Sequence, residues 1–423
     1  GIYFHQFISQ YGDFCESLDQ NIIPESRNAR GAKLSYGVER VKGYSKKDME
    51  EIVGQHTCNH YHRTEGGTAE FMDDQFTLNG DFRVKDVLSP HQFADKIKGS
   101  GAAIYSWSGW WDAAFSHAAI RQFINLDDGR NRLRIGPWNH GGGANVSPTV
   151  ASASEFDDVK EIVRFFDFHL KGMDNGLNKS PRIYYYTMGE NVWKTSDVWP
   201  IAAERKTLYL SSNGMADWNA STDVKSFTPY TIDTTHTVGL NSRWSFDTNR
   251  TGITYADASS EDSISAVFTL AELTEDMEIT GHPQVNFYVK SSTEDGSVFA
   301  YLEDVDENGN VWKVTDGQFR FVHKKLHKTA PHYKDVVPYH RYLKVDAEMM
   351  DTSKVEFVSF DMLPTSHLFK KGHKIQIRLA GVDYDNFKNL YPNGGSWEIY
   401  HDAEYPTHVE LPVVDRSLIM GQR

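Results

Sequence analysis

The spacing of apolar residues changes twice along the chain. Up to about residue 98 it keeps no long period. His, Asn and the pair Gly66-Gly67 interrupt it, and loops are generous. Two short helices are expected there, over residues 46–54 with Ser45 as N-cap and over residues 89–98. Between 99 and 200 continuous apolar runs alternate with helical spacing. Ala102-Ala103-Ile104-Tyr105-Ser106-Trp107 follows Gly99-Ser100-Gly101 and reads as a strand buried on both faces. A helix is expected over 112–124, then a turn at Asp127-Asp128-Gly129. Leu133-Arg134-Ile135-Gly136 is a second short strand, closed by Pro137. The strongest helical period lies in 155–170. Val159, Ile162, Val163, Phe166 and Leu170 recur every three or four residues, and Gly172 follows. Strand, helix, strand, helix indicates an α/β unit with a parallel sheet.

From about residue 201 the period becomes two. Residues 284–290 and 374–379 alternate. Residues 297–305 and 311–320 flank Asp306-Glu307-Asn308-Gly309-Asn310, a hairpin signal through its Asn-Gly. No convincing helical pattern remains, so this is an all-β region of sandwich or jelly-roll size.

Composition removes several function classes. The 423 residues carry 44 Lys+Arg and 58 Asp+Glu, a formal net charge of −14. That balance argues against nucleic acid as the main partner, because phosphate binding needs clustered cations. Two cysteines cannot build a disulfide framework. No apolar run approaches the ~18 residues of a membrane span, so no membrane partner is expected.

Two strings carry candidate chemistry. Ser108-Gly109-Trp110-Trp111-Asp112 follows the first buried strand, and Gly136-Pro137-Trp138-Asn139-His140-Gly141-Gly142 follows the second. Ligands of open α/β sheets bind beyond the carboxyl ends of strands, so Asp112 and His140 can meet in one cleft. They would be the last two members of the Ser…Asp…His order of α/β-hydrolases. The blander alternative is that Asp112 caps the following helix and His140 is a loop histidine. Trp110, Trp111, Phe115 and Trp138 flank the pair, either as an aromatic substrate pocket or as packing beneath the loops.

These strings resemble the CocE/NonD serine hydrolases, the group containing cocaine esterase and X-prolyl dipeptidyl aminopeptidases. Gly109-Trp110-Trp111-Asp112 is similar to their Gly-Trp-Tyr-Asp segment, and Gly136-Pro137-Trp138-Asn139-His140-Gly141 to their Gly-Pro-Trp-x-His-Gly segment. The likeness continues through 166–172, 188–193, 273–281 and 364–373, while residues 1–98 match weakly. The resemblance implies an α/β-hydrolase core, an inserted helical cap and a C-terminal jelly roll. The expected domains are a cap region at 1–98, the C-terminal part of the hydrolase core at 99–200 and a jelly roll at 201–423. It implies Asp112 as triad acid and His140 as base, with no cofactor and no metal. The relatives that hydrolyse α-amino-acid esters carry carboxylates just after the triad Asp. Ala113, Ala114 and Phe115 stand there in this chain, which disfavours a site of that type.

The nucleophile elbow Gly-x-Ser-x-Gly occurs nowhere in the 423 residues. Gly43-Tyr44-Ser45-Lys46-Lys47 has only its first half. In the family that elbow and an oxyanion-hole Tyr lie upstream of the cap. The chain opens Gly1-Ile2-Tyr3-Phe4-His5 without Met, so it is expected to be N-terminally incomplete, with the missing hydrolase segment as a partner. Loss of the nucleophile costs about 10⁶ in rate in a comparable site, so the isolated chain is expected to be inactive. The leading expectation is a serine hydrolase of small esters, amides or short peptides, with homo-oligomerisation open. The alternative is an inert binding protein with a degenerate hydrolase core and a jelly-roll binding module.

Two further clusters have bland explanations. His56, Cys58, His60 and His62 would share one face of a strand, but their spacing matches no standard zinc pattern. Asp304-Val305-Asp306-Glu307-Asn308-Gly309 mimics the start of an EF-hand loop, yet its twelfth position is Thr315, so a hairpin turn is expected.

Overall fold

The structure is a computed structural model and describes residues 2, 4–6, 42–57, 70–74, 90–140, 157–201, 203–245, 253, 256–328 and 334–416. Helix α1 (Lys46–Thr57) begins with a reciprocal cap at the expected residue. The Asp48 amide donates to Ser45 Oγ at 3.1 Å, and the Ser45 amide donates to the Asp48 carboxylate at 2.7 Å. The segment expected as one helix over 89–98 divides into a 3₁₀ turn, Pro90–Phe93, and α2 (Ala94–Gly99).

The next elements alternate as the apolar runs predict: β1 (Tyr105–Gly109), α3 (Phe115–Leu126), β2 (Arg132–Gly136), α4 (Asp158–Lys171), β3 (Ile183–Thr187) and β4 (Val192–Ser196). They form one four-stranded sheet in the order β1-β2-β3-β4. The first three strands are parallel, with Tyr105 opposite Arg132 and Leu133 opposite Ile183, and β4 is antiparallel to β3. Trp110, Trp111, Ile120, Phe123, Leu133, Ile135, Ile183 and Tyr185 pack between this sheet and α3. Helix α3 starts three residues later than expected, which frees Asp112 from the helix.

Helix α4 begins three residues later than expected, at Asp158, and ends as expected before Gly172. The Asp157 carboxylate accepts the Lys160 amide at 2.9 Å, and Gly172 closes the helix at φ 65°. Its orientation is not what its period suggests. An apolar stripe ordinarily faces a core, yet Val159 (66% exposed), Ile162 (43%), Val163 (50%), Phe166 (50%) and Leu170 (77%) face outward. The sheet takes the other side. Phe165 packs against Tyr105, with ring centres 5.4 Å apart. The Glu161 carboxylate accepts the Tyr105 hydroxyl at 3.0 Å and pairs with the buried Arg134 at 3.5 Å. A charged anchor and one aromatic ring thus set the rotation of α4.

Beyond Ala203 the structure is β-rich. Thirteen strands among the described residues connect into a second sheet system around Phe268, Phe287, Phe319, Phe321 and Trp397. The hairpin Ser297–Val305/Val311–Arg320 forms as predicted. Asp306 holds its turn by accepting the Asn308 amide at 2.8 Å and the Trp312 indole N–H at 3.0 Å. Burial of its carboxylate is outweighed by these donors, and its pKa falls to about 2.

The two sheet systems are stitched together. The Met188 amide donates to the Ser366 carbonyl at 2.9 Å, and the Leu368 amide donates to the Met188 carbonyl at 2.8 Å. Gly189 follows at φ 79°, where a Cβ would collide with the Leu368 carbonyl. Lys194 of β4 pairs with the fully buried Glu278, which also accepts Thr280 Oγ1 at 3.0 Å. Thr280, Ser366 and Thr187 continue this chain of hydroxyls at 2.8 and 2.9 Å. A second junction joins α3 to the β-rich part. His117 Nδ1 lies 3.1 Å from His282 Nε2 and 3.7 Å from the Asp361 carboxylate.

Candidate active site

Both strand ends are glycines for a steric reason. A Cβ on Gly109 would collide with the Trp138 carbonyl, and a Cβ on Gly136 with the Trp138 indole. Without these side chains the loops after β1 and β2 can lie against each other. Main-chain bonds then lock them: the Trp110 amide donates to the Gly136 carbonyl at 2.9 Å, and the Trp111 amide to the Trp138 carbonyl at 3.1 Å. The first loop turns sharply, with the Asp112 amide donating to the Gly109 carbonyl at 3.2 Å. Ala113 sits at φ 40°, unfavourable for a residue with a Cβ. Its burial and the bond from its amide to the Arg243 carbonyl (3.1 Å) hold it there.

This backbone presents Asp112 to His140. The distance from His140 Nδ1 to Asp112 Oδ1 is 2.8 Å. The other carboxylate oxygen accepts a long contact from Ser108 Oγ at 3.4 Å. Helix capping does not occupy Asp112. The N-cap of α3 is Ala114, without a side-chain bond, and Asp112 reaches α3 only through its carbonyl, which accepts the Phe115 amide at 2.8 Å. The hydrogen bond that His140 donates to Asp112 raises the pKa of His140 above its usual value, against an opposing effect of burial. The imidazole remains about one-third exposed. With Nδ1 on the carboxylate, Nε2 is the nitrogen directed away from it.

The four flanking aromatics divide. Trp110 and Trp111 are fully buried, with their indole N–H groups on the Tyr186 carbonyl (2.7 Å) and Met188 Sδ (3.1 Å). Trp138 is also buried, between Trp107 and Trp193 at centroid distances of 6.5 and 5.6 Å. These three indoles form the floor on which the loops rest. Phe115 is 44% exposed, and its ring lies 5.5 Å from that of His140. Sequence reasoning missed the Ser108 contact and the Arg243 carbonyl. Ser108, four residues before Asp112 at a strand end, carried a visible signal. Arg243 carried none.

The histidine-rich string at 56–62 runs into α1 at His56 and Thr57, and residues 58–62 lie outside the described residues. Among the described residues no group of three His, Cys, Asp or Glu side chains could hold a metal ion, and no helix is long and apolar enough to cross a membrane.

Comparisons with known proteins show the family. Residues 30–142 match the family model of X-Pro dipeptidyl-peptidase (S15 family), and residues 175–409 match its C-terminal non-catalytic domain. A protein named as a serine esterase from Mycobacterium bovis is 33% identical over 98% of this chain and 69% of its own length. Cocaine esterase from Rhodococcus is 23% identical over 76% of this chain and 58% of its own length. The solved structure of an α-amino acid ester hydrolase is 19% identical, with a TM-score of 0.61, covering 87% of this chain and 62% of that one. At that identity the likeness shows the fold: an α/β-hydrolase core joined to a β-rich C-terminal domain. The chain spans less than two thirds of that structure and of cocaine esterase. With two segments of the S15 pattern in order and a one-third identical relative along nearly its whole length, the chain belongs to the CocE/NonD group of serine hydrolases, the X-Pro dipeptidyl-peptidase S15 family.

Proposed function

We propose that Asp112 and His140 are the acid and base of a serine hydrolase acting on carboxylic esters, amides or short peptides through an acyl-enzyme. The nucleophilic Ser is proposed to come from a Gly-x-Ser-x-Gly segment outside residues 1–423. Residues 1–98 would form the helical cap and residues 201–423 the jelly roll. The carrying observation is the 2.8 Å contact between His140 Nδ1 and Asp112 Oδ1 on two locked loops. A binding module with a degenerate core would have no use for that contact, which favours hydrolysis over the binding-protein reading.

In this mechanism His140 Nε2 takes the proton of the seryl hydroxyl as its oxygen attacks the substrate carbonyl. It returns that proton to the departing alkoxide or amine, leaving the acyl-enzyme. Water then repeats the sequence and regenerates Ser. Asp112 accepts the Nδ1–H throughout, fixes the tautomer and stabilises the imidazolium. The raised pKa of His140 is the ground-state sign of that stabilisation. Phe115 forms the apolar wall beside the base, above the floor of Trp110, Trp111 and Trp138. Ala113 and Ala114 add no carboxylate there, so uncharged acyl groups fit better than ammonium-bearing ones.

The test is a p-nitrophenyl ester assay on one polypeptide that joins the chain to the unmatched segment of the mycobacterial relative. Asp112→Asn, with an unchanged fold by circular dichroism, is expected to lower kcat by about 10⁴. A joined protein whose hydrolysis is indifferent to His140→Ala would sink the reading.

A further inference from the structure

We infer that Arg243, in the β-rich part of the chain, is a positioning residue for the triad acid: it clamps the residues on either side of Asp112 and so sets the carboxylate against His140. This rests on the serine-hydrolase reading above. Trp111 and Ala113 flank Asp112, and both meet Arg243. The Ala113 amide donates to the Arg243 carbonyl at 3.1 Å, and the Arg243 guanidinium lies over the Trp111 ring, 5.0 Å from its centre. A cation over an indole face is held most firmly where water is excluded, and both side chains are fully buried.

Arg243 is itself rooted in the β-rich core. Its Nε lies 3.0 Å from Oδ1 of Asp316. Asp316 stands in the strand Val311–Arg320, opposite Tyr301, and its carbonyl accepts the Leu363 amide at 2.9 Å. The next residue, Trp244, packs against Phe4 and Phe387, with ring centres 5.2 and 4.9 Å away. A carbonyl anchored on both sides in this way can hold a strained neighbour. Ala113 at φ 40° persists only while its surroundings over-determine it. Released, it would relax to negative φ and swing the chain at Asp112, and Trp111, freed of the guanidinium, could follow. The 2.8 Å contact between Asp112 and His140 would then lengthen. The ties at Gly109, Trp110 and Trp138 secure the loop from within the α/β part, but they stop short of Ala113. The β-rich part carries no member of the proposed triad, yet through Arg243 it sets the geometry of the acid and base.

The experiment follows His140 directly. Histidine rings of the 423-residue chain are isotope-labelled and titrated by NMR, with His140→Gln assigning the signal. Asp112 raises the pKa of this imidazole and burial lowers it. Arg243→Ala, and Arg243→Ala with Asp316→Asn, are expected to shift the His140 midpoint to lower pH as the carboxylate withdraws. Loss of a cation by itself would shift it the other way. The double variant removes both charges of the pair, and it leaves no buried carboxylate unpaired if the single variant does not fold. As a control, Glu303→Ala breaks another buried pair of the β-rich part, that with Arg378. It should lower the melting temperature without moving the His140 midpoint. In the polypeptide joined to the relative's unmatched segment, the double variant should lower kcat for a p-nitrophenyl ester about 10²-fold with KM little changed. A midpoint that stays or rises in both Arg243 variants, or falls equally in Glu303→Ala, overturns the positioning role. So does a joined protein whose His140-dependent hydrolysis is indifferent to the double variant. A lowered midpoint together with a joined protein that hydrolyses no ester keeps the role of Arg243 and removes the reaction.

Discussion

Two surfaces of the α/β part meet opposite fates. On the side of β3 and β4 the sheet joins the β-rich part through a seam with its polar groups paired: Lys194 with Glu278, Thr187 with Ser366, Met188 with Ser366 and Leu368. On the side of β1, α4 turns Val159, Phe166 and Leu170 outward. The seam is polar in sequence and buried in structure, whereas the stripe is apolar in sequence and exposed. Hydrophobic pattern thus reports what a residue would bury, and the partner that buries it is set by the rest of the fold. For the seam that partner lies in the chain, about 80 to 180 residues downstream. For the stripe the described residues contain none.

The largest test of this contrast is at Glu278, whose carboxylate is fully buried and holds Lys194. Glu278→Ala leaves the ammonium with Glu190 alone and takes from Thr280 its carboxylate acceptor, leaving the Ser366 hydroxyl. Removing one partner of a buried pair typically costs about 3–5 kcal/mol. Thermal melting should show the whole chain destabilised by an amount in this range. A loss within experimental error would mean that water reaches the seam, and that the two surfaces differ less than the structure indicates.

Adjacent residues on α4 make the next comparison. Phe165 faces the sheet and Phe166 faces away. Phe165→Ala should cost about 3 kcal/mol, as for a buried aromatic ring. Phe166→Ser should stay within about 0.5 kcal/mol, as for an exposed position. Urea denaturation of the two variants reads the difference directly. Equal costs would mean that α4 is covered on both sides in the chain by itself.

The same pair shows what could be read in advance. The C-terminal end of α4 was legible because capping is local: Gly172 follows it at φ 65°, whereas the start at Asp158, capped by Asp157, lies three residues past the expected one. The hairpin around Asp306 was legible for the same reason. The meeting of Asp112 and His140 followed from their places after two parallel strands, a rule of topology that needs no distant contact. The rotation of α4 was hidden. It depends on Glu161 reaching Arg134 and Tyr105, polar contacts that an apolar period does not encode. The start of α3 was hidden too, since the backbone around Ala113 is held by the Arg243 carbonyl, 130 residues away.

The smallest expected effect concerns the other junction, where His117, His282 and Asp361 meet. Arg121 faces all three, itself paired with Asp335. Burial pushes the Asp361 carboxyl up to about 7 and His282 down to about 3, and it holds His117 well below its usual value. An acid with a raised pKa keeps, in the folded state, a proton that the unfolded chain releases. The stabilisation from Asp361 is therefore complete below its unfolded pKa, ~3.9, and is lost as pH rises towards 7. The two histidines act in the reverse direction, weakening the fold as pH falls below their unfolded value. Asp361→Asn keeps the size and removes the titration, so the histidine contributions cancel in a comparison with the parent chain. The variant should melt at the same temperature as the parent at pH 4 and roughly 2–4 °C higher at pH 8. A difference in melting temperature that does not grow between pH 4 and 8 would show that Asp361 ionises freely. This junction would then be wet, and the sealed character of the interface would belong to the Lys194–Glu278 side alone.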